Sequence, residues 1–192
     1  DVTLSIIKNS KDDSVGVQKV YYNENVYRVS KGTHSFKEIM QVGLECVGDI
    51  DEFHIFEVLM LAVKSLMSIS DECILDVSDL SVVSAVVDML GVDRSQRPLI
   101  LKCIGEKNLH ELQSICNKNN ADKSATDTLL ALVGTHGKPE DVIAKLSPIL
   151  PENSLDTLKS ITDALSFVGC GDIVRIDFSV INDMNYYNGI TF

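Results

Sequence analysis

The hydrophobic period of the chain changes from two to about 3.6 near residue 50. Residues 38–47 alternate as a half-buried strand does, and the face that we expect in the core carries four residues: Met40, Val42, Leu44 and Cys46. The opposite face carries Ile39, Gln41, Gly43 and Glu45. From Asp51 onward apolar residues recur every three to four positions, which predicts an amphipathic helix packed on the strand.

Shorter patterns predict the other elements. Two β-rich runs, residues 17–22 and 25–29, are separated by Asn23-Glu24, which predicts a hairpin. Residues 72–78 predict a strand, followed by a helix over 80–90 that Gly91 ends. Four further helix starts are indicated, at Asn108, Ser124, Pro139 and Ser154. The chain is predicted to close with an antiparallel hairpin. Its first strand is the alternating run 173–181, its turn is Asn182-Asp183, and its second strand is 186–192.

Strands, then helices, then strands indicate an α+β fold with an antiparallel sheet flanked by helices. We expect residues 1–91 and 172–192 to form the core and residues 92–171 to form a small helical insert. The chain opens on an aspartate and its last strand pattern stops at Phe192, so we expect it to be a fragment of a longer protein.

Charge and hydropathy exclude several partners. Seventeen Lys and Arg against twenty-eight Asp and Glu give a net charge of −11, which disfavours nucleic acid. The longest apolar stretch, around Phe56 to Val63, is too short to cross a bilayer, and we expect no membrane partner. An odd set of five widely spaced cysteines indicates buried thiols in a reducing cytoplasm: Cys46, Cys73, Cys103, Cys116 and Cys170.

Catalytic patterns are scarce. The four histidines are scattered and no Cys-x-x-Cys pair occurs, so we expect neither a metal nor a cofactor. Gln41 and Glu45 on one strand face require either internal partners, with Asp177 and Arg175 as first candidates, or a ligand. In a strand, one ring of the pair Tyr186-Tyr187 would enter the core, while the other could form a pocket wall.

Three segments, in the right order, resemble the histidine-specific class II aminoacyl-tRNA synthetases. Tyr27-Arg28, a polar loop and Gln41-Val-Gly-Leu-Glu45 resemble their second motif. Residues 174–192 resemble their histidine-recognition motif, and Asp1-Val-Thr3 resembles an earlier histidine-contacting stretch. The resemblance implies a class II synthetase-like fold. It covers nearly the whole chain and is weakest over residues 117–159.

That family contains an enzyme and a catalytically silent paralogue, the regulatory subunit of ATP phosphoribosyltransferase in histidine biosynthesis. Departures from the motifs favour the paralogue. Asn182 stands where the synthetase has an arginine that stabilises charge during adenylation, and Ser30 replaces an expected acidic residue. Residues 74–112 also resemble the middle region of the regulatory subunit.

The resemblance implies a non-catalytic subunit that binds L-histidine for feedback control and activates a short catalytic subunit. It further implies a homodimer within a hetero-oligomer. The implied histidine ligands are Asp1, Thr3, Gln41, Glu45, Tyr186 and Tyr187, with Arg28 as a vestigial phosphate contact. Two alternatives stay open: a fragment of an active or degenerate histidyl-tRNA synthetase, and an interaction domain that has lost its ligand.

Overall fold

The chain divides into two compact units, Asp1–Val58 and Leu59–Phe192. The computed structural model describes residues 2–10, 16–29, 32, 35–182, 184 and 186–192. Helices and strands occur in both units, in agreement with the expected α+β class.

The first unit is built on a long antiparallel pair of strands. Helix α1 (Val2–Asn9) precedes strands β1 (Gln18–Val29) and β2 (Phe36–Val47), and helix α2 (Glu52–Ile69) begins after them. The hairpin predicted at Asn23-Glu24 is wrong, because both residues lie inside β1 and pair with Val42 and Gln41. The Asn-Glu pair also lacks the glycine that a tight two-residue turn favours.

The apolar face of β2 is half-buried at the C-terminal end of the strand and exposed elsewhere, so only part of it is covered as its alternation predicted. Met40 and Val42 are 70% and 72% exposed, and Tyr21 on the same face of β1 is 84% exposed. Alternation separates the two faces of a strand but does not decide which face another layer covers. Helix α2 does follow its prediction, since Asp51 accepts a hydrogen bond from the His54 backbone N–H at its start.

The second unit contains most of the helices. After α3 (Leu80–Met89) and a 3-10 helix (Arg94–Gln96), five helices follow: α4 (Arg97–Gly105), α5 (Leu109–Lys118), α6 (Lys123–Gly134), α7 (Pro139–Leu146) and α8 (Asp156–Phe167). The predicted start at Asn108 is confirmed, because its side chain accepts from the Glu111 N–H. Helix α6 begins at Lys123, one residue before the predicted Ser124, with Asp122 as its cap, and α8 begins two residues after the predicted Ser154.

A small mixed sheet lies among these helices. Its strands β3 (Leu75–Asp79), β4 (His136–Gly137), β5 (Val174–Asp177) and β6 (Ile190–Thr191) are ordered β4-β5-β3-β6. The predicted closing hairpin is wrong, because β5 pairs with β3 in parallel and β6 pairs with β3 in antiparallel. Strand β5 stops at Asp177, whose carboxylate accepts from the Ser179 N–H and forms a local turn.

The core of the second unit is apolar and continuous through helices and sheet. Its largest fully buried side chains include Phe178 after β5, Leu80 in α3, Ile104 in α4 and Leu129 in α6. All five cysteines are free thiols, and Cys103, Cys116 and Cys170 are buried as the sequence indicated. Cys46 and Cys73 are only half-buried.

Candidate functional site

The polar face of the β1–β2 pair carries three of the seven side chains that the resemblance nominated. The register sets Tyr22 opposite Gly43 and Arg28 opposite Lys37, so Arg28, Gln41, Gly43 and Glu45 share one face. Gln41 and Glu45 are half-buried and Arg28 is exposed. The alternation of residues 38–47 therefore correctly separates these polar side chains from the apolar face.

Glu45 and Thr3 are brought together in the first unit. The Thr3 hydroxyl donates to Oε1 of Glu45 over 2.6 Å, which connects α1 to β2. The sequence nominated Arg175 and Asp177 as internal partners of the polar face, but Thr3 occupies that role for Glu45. Asp1, the third nominated residue of this group, lies outside the described residues.

Gln41 is bonded at both ends of its side-chain amide. Arg28 donates from Nη2 to the Gln41 Oε1 over 3.2 Å, and the Gln41 Nε2 donates to the Tyr22 hydroxyl over 2.8 Å. Arginine has donors only, so the amide oxygen must face Arg28 and the amide nitrogen must face Tyr22. The three side chains form one network on the face that also carries Glu45.

Tyr22 reaches this network because Gly43 has no side chain. A Cβ on Gly43 would lie 2.3 Å from the Tyr22 ring carbon Cζ and from its hydroxyl oxygen. Tyr22 was not predicted as part of the site, because the turn expected at Asn23-Glu24 would directly follow this residue. A tyrosine opposite a strand glycine commonly lies across that glycine. This pairing can be recognised only when the register of the two strands is known.

The segment that resembles the histidine-recognition motif, residues 174–192, belongs to the second unit. The rings of Tyr186 and Tyr187 meet edge to face with centroids 4.7 Å apart, and both side chains are about half exposed. Neither ring enters the core, because both residues precede the short strand β6. Asn182 donates from Nδ2 to the Thr191 hydroxyl oxygen over 2.5 Å, so the amide that replaces the synthetase arginine takes part in an internal bond.

An ion pair between an exposed lysine and a buried aspartate fixes the end of β5 in the same unit. Lys107 donates to Oδ2 of Asp177 over 2.6 Å, and the Ser179 hydroxyl donates to Oδ1 over 2.7 Å. Burial raises the pKa of the Asp177 carboxyl, but these hydrogen bonds outweigh burial and the pKa lies below its usual value. Arg175 donates to the backbone carbonyls of Asp172 and Val174.

The described residues offer little other reactive chemistry. Burial raises the pKa of the Cys46, Cys103 and Cys116 thiols, so each is a poor thiolate nucleophile at neutral pH. Within the described ranges, no three His, Cys, Asp or Glu side chains come together as a metal site requires. None of the helices in those ranges is long and apolar enough to cross a membrane.

Curated relatives match along almost the whole chain. The ATP phosphoribosyltransferase regulatory subunit of Clostridium kluyveri is 26% identical over 195 residues, which are 97% of this chain and 50% of the relative. The protein of the same name from Ruminiclostridium cellulolyticum is 23% identical, covering 100% of this chain and 48% of the relative. The chain thus spans about half the length of these relatives.

Solved structures share the fold. An ATP phosphoribosyltransferase regulatory subunit/histidyl-tRNA synthetase from Bacillus halodurans C aligns with a TM-score of 0.85 at 21% identity, over 99% of this chain and 51% of that chain. Histidyl-tRNA synthetase from Nostoc sp. PCC 7120 aligns with a TM-score of 0.77 at 17% identity, over 99% of this chain and 47% of that chain. The ATP phosphoribosyl transferase (HisG:HisZ) complex from Thermotoga maritima aligns with a TM-score of 0.75 at 23% identity, over 99% of this chain and 68% of that chain.

These alignments confirm the class II synthetase-like α+β fold that the motifs implied. The names of the curated relatives agree with the resemblance to the regulatory subunit. The family model described as histidyl-tRNA synthetase matches residues 1–192, and the chain therefore belongs to the histidyl-tRNA synthetase family.

Proposed function

We propose that this chain is part of a non-catalytic regulatory subunit of ATP phosphoribosyltransferase in histidine biosynthesis. The observation that carries the proposal is the name shared by relatives that align over 91% or more of the chain. In this role the subunit activates a short catalytic subunit and adjusts its activity to the histidine supply. The complex from Thermotoga maritima is a structural precedent for such an assembly.

The polar face of β1–β2 supports a histidine site in this subunit. Thr3 and Gln41, together with Asp1, would hold the amino-acid end of the ligand, and Glu45 would accept from an imidazole N–H. In the second unit, we propose Tyr186 and Tyr187 as ligand-binding residues, because such side chains offer an aromatic face and hydroxyl groups. Arg28 is a candidate contact for an anionic group, as its guanidinium lies beside Gln41.

The bonding of Asn182 argues against the synthetase alternative. A neutral amide cannot stabilise the charge that develops during adenylation, and here it is held by Thr191. The net charge of −11 also disfavours a tRNA partner. An active synthetase would need another cation to perform the role of the missing arginine.

The assembly that we propose is a homodimer of this subunit within a hetero-oligomer that contains the short catalytic subunit. We place it in the cytoplasm, where five free thiols remain reduced. We further propose that residues 1–91 and 172–192 form the synthetase-like core and that residues 92–171 form an insert.

The test mixes the full-length protein with the short catalytic subunit of the same organism. We expect the two to co-elute in size-exclusion chromatography, phosphoribosyl transfer to rise, and L-histidine to lower it. Separate elution with unchanged transfer would contradict the proposal. Histidine-dependent exchange of pyrophosphate into ATP by the full-length protein alone, above a blank, would instead support the synthetase.

A further inference from the structure

Asn188 and Gly189 precede strand β6 and form the only Asn-Gly pair in the sequence. The Asn188 side chain is exposed, and its amide has no hydrogen-bond partner in the described part of the chain. Among the same residues the Gly189 N–H is also without a partner, although the Gly189 carbonyl accepts from the Leu80 N–H over 2.8 Å. No hydrogen bond therefore has to break before the Asn188 amide and the Gly189 nitrogen can meet.

These two groups can react with each other in water. When the backbone nitrogen of Gly189 loses its proton to hydroxide, it can attack the side-chain Cγ of Asn188. A new C–N bond forms, the bond from Cγ to Nδ2 breaks, and Nδ2 leaves as ammonia. Water then adds to either carbonyl of the cyclic succinimide and opens it to aspartate or to isoaspartate.

The local geometry leaves room for this ring closure. Gly189 has a φ of +69°, and a Cβ at this position would meet no atom within 4 Å. A residue without a Cβ rotates freely, so the glycine nitrogen can approach the neighbouring side chain with little steric hindrance. We propose that Asn188 is a site of spontaneous deamidation, at which the folded protein acquires isoaspartate and aspartate. This inference does not depend on the proposed function.

Asn9 is also exposed and is followed by the small residue Ser10, but both reacting groups are held there. The Asn9 Nδ2 donates to the Ser5 carbonyl over 2.8 Å, and the Ser10 N–H donates to the Ile6 carbonyl over 2.8 Å. Two hydrogen bonds of about 1 kcal/mol each must open first, which slows the reaction by at least about tenfold. Asn9 is therefore a matched internal control within the same chain.

The modification would change the approach to β6 in two ways. Either product adds one negative charge next to Tyr187. Isoaspartate also adds a methylene group to the main chain immediately before Gly189, whose carbonyl links this segment to Leu80 at the start of α3. Deamidation thus alters both the charge and the backbone length of the segment that leads into the small sheet.

The test incubates the full-length protein in mildly alkaline buffer, both folded and unfolded in guanidinium chloride, and follows each asparagine by peptide mapping with mass spectrometry. We expect Asn188 to deamidate in the folded protein within about threefold of its unfolded rate, because no bond has to open. Asn9 should deamidate at least about tenfold more slowly in the folded than in the unfolded protein.

The variant Asn188→Gln keeps an exposed amide, but its longer side chain must close a larger and slower-forming ring. Labelling by an isoaspartyl methyltransferase should therefore fall in this variant relative to the wild type. Equal labelling of the two folded proteins would overturn the proposal, since the isoaspartate would then lie elsewhere. An Asn188 that stays intact in the folded protein would overturn it as well, whether or not the unfolded chain deamidates there.

Discussion

The Thr3 hydroxyl donates to Oε1 of the Glu45 carboxylate over 2.6 Å, so the first helix is tied to the second strand by a charge-assisted bond. The bond restricts the rotamer of a residue that the motif comparison assigns to the imidazole of a ligand. A carboxylate has about four acceptor positions. Glu45 can therefore keep this bond and still accept from a histidine ring.

The first prediction concerns Glu45→Ala. If Glu45 accepts from the imidazole N–H, its removal should weaken L-histidine binding by about tenfold to a hundredfold, equivalent to about 1.5–3 kcal/mol. Calorimetric titration of the full-length protein measures the change. Lys64→Ala, on an exposed position of α2, is the control and should bind like the wild type. Equal affinity in Glu45→Ala would mean that Glu45 serves only as the partner of Thr3.

The second prediction concerns Gly43→Ala, which forces Tyr22 to move. A methyl group at Gly43 would lie 2.3 Å from the Tyr22 ring and hydroxyl, so the ring must rotate and its bond to Gln41 must break. The lost hydrogen bond costs about 1 kcal/mol, and the gain from replacing a strand glycine offsets a similar amount. We therefore expect nearly unchanged stability.

Side-chain amide resonances of Gln41, observed by NMR, report the Gly43→Ala change directly. They should shift as they do in Tyr22→Phe, since both changes remove the same acceptor. The control is Gly32→Ala, at a position with open space around the added methyl group. Unshifted Gln41 resonances in Gly43→Ala would show that Tyr22 does not lie across the glycine.

Features with a local signal were predictable from the sequence. Three such features depend only on neighbours within a few residues: the Asn108 cap, the proline in the first turn of α7, and the end of α3 at Gly91, whose φ is +67°. Alternation over residues 38–47 likewise separated the polar face from the apolar one. These features follow from backbone geometry and short-range hydrogen bonding.

Features that depend on distant residues were not predictable. The partner of Asp177 is Lys107, 70 residues earlier, and no short-range pattern links them. The parallel pairing of β3 with β5 requires the chain to pass through six α-helices between them. The bond between Tyr22 and Gln41 depends on the β1–β2 register, which the wrong turn at Asn23-Glu24 concealed.

The third prediction concerns Ser78→Ala in the small sheet. The Ser78 hydroxyl is fully buried and has no hydrogen-bond partner in the described part of the chain. An unsatisfied buried hydroxyl is unfavourable, so its removal should leave stability unchanged or raise it by up to about 1 kcal/mol. Urea unfolding measures the effect.

The matched comparison for Ser78 is Thr162→Val. The Thr162 hydroxyl is also buried, but it donates to the Leu158 carbonyl over 2.8 Å. Its loss should reduce the free energy of unfolding by about 1 kcal/mol. A loss of stability in Ser78→Ala as large as that in Thr162→Val would mean that the Ser78 hydroxyl has a partner.

The last prediction concerns the pH dependence of the Lys107–Asp177 pair. Because the hydrogen bonds from Lys107 and Ser179 hold the pKa of Asp177 below its usual value, the folded protein favours the charged carboxylate more than the unfolded chain does. The resulting stabilisation is complete above the unfolded pKa of about 3.9 and is lost as the pH falls through the lower folded value.

Lys107→Met removes the ammonium group without adding backbone strain, because lysine already adopts the left-handed conformation there, with φ of +52°. We expect it to lower the free energy of unfolding by about 1–2 kcal/mol at pH 7, since it leaves a buried carboxylate without its cation. Measured by urea unfolding, the difference from the wild type should shrink as the pH falls below about 4. Lys102→Met, which removes an exposed contact of 3.9 Å with Glu106, should change stability by less than about 0.5 kcal/mol at every pH. A difference for Lys107→Met that stays constant between pH 7 and pH 3 would show that Lys107 stabilises the protein through packing alone.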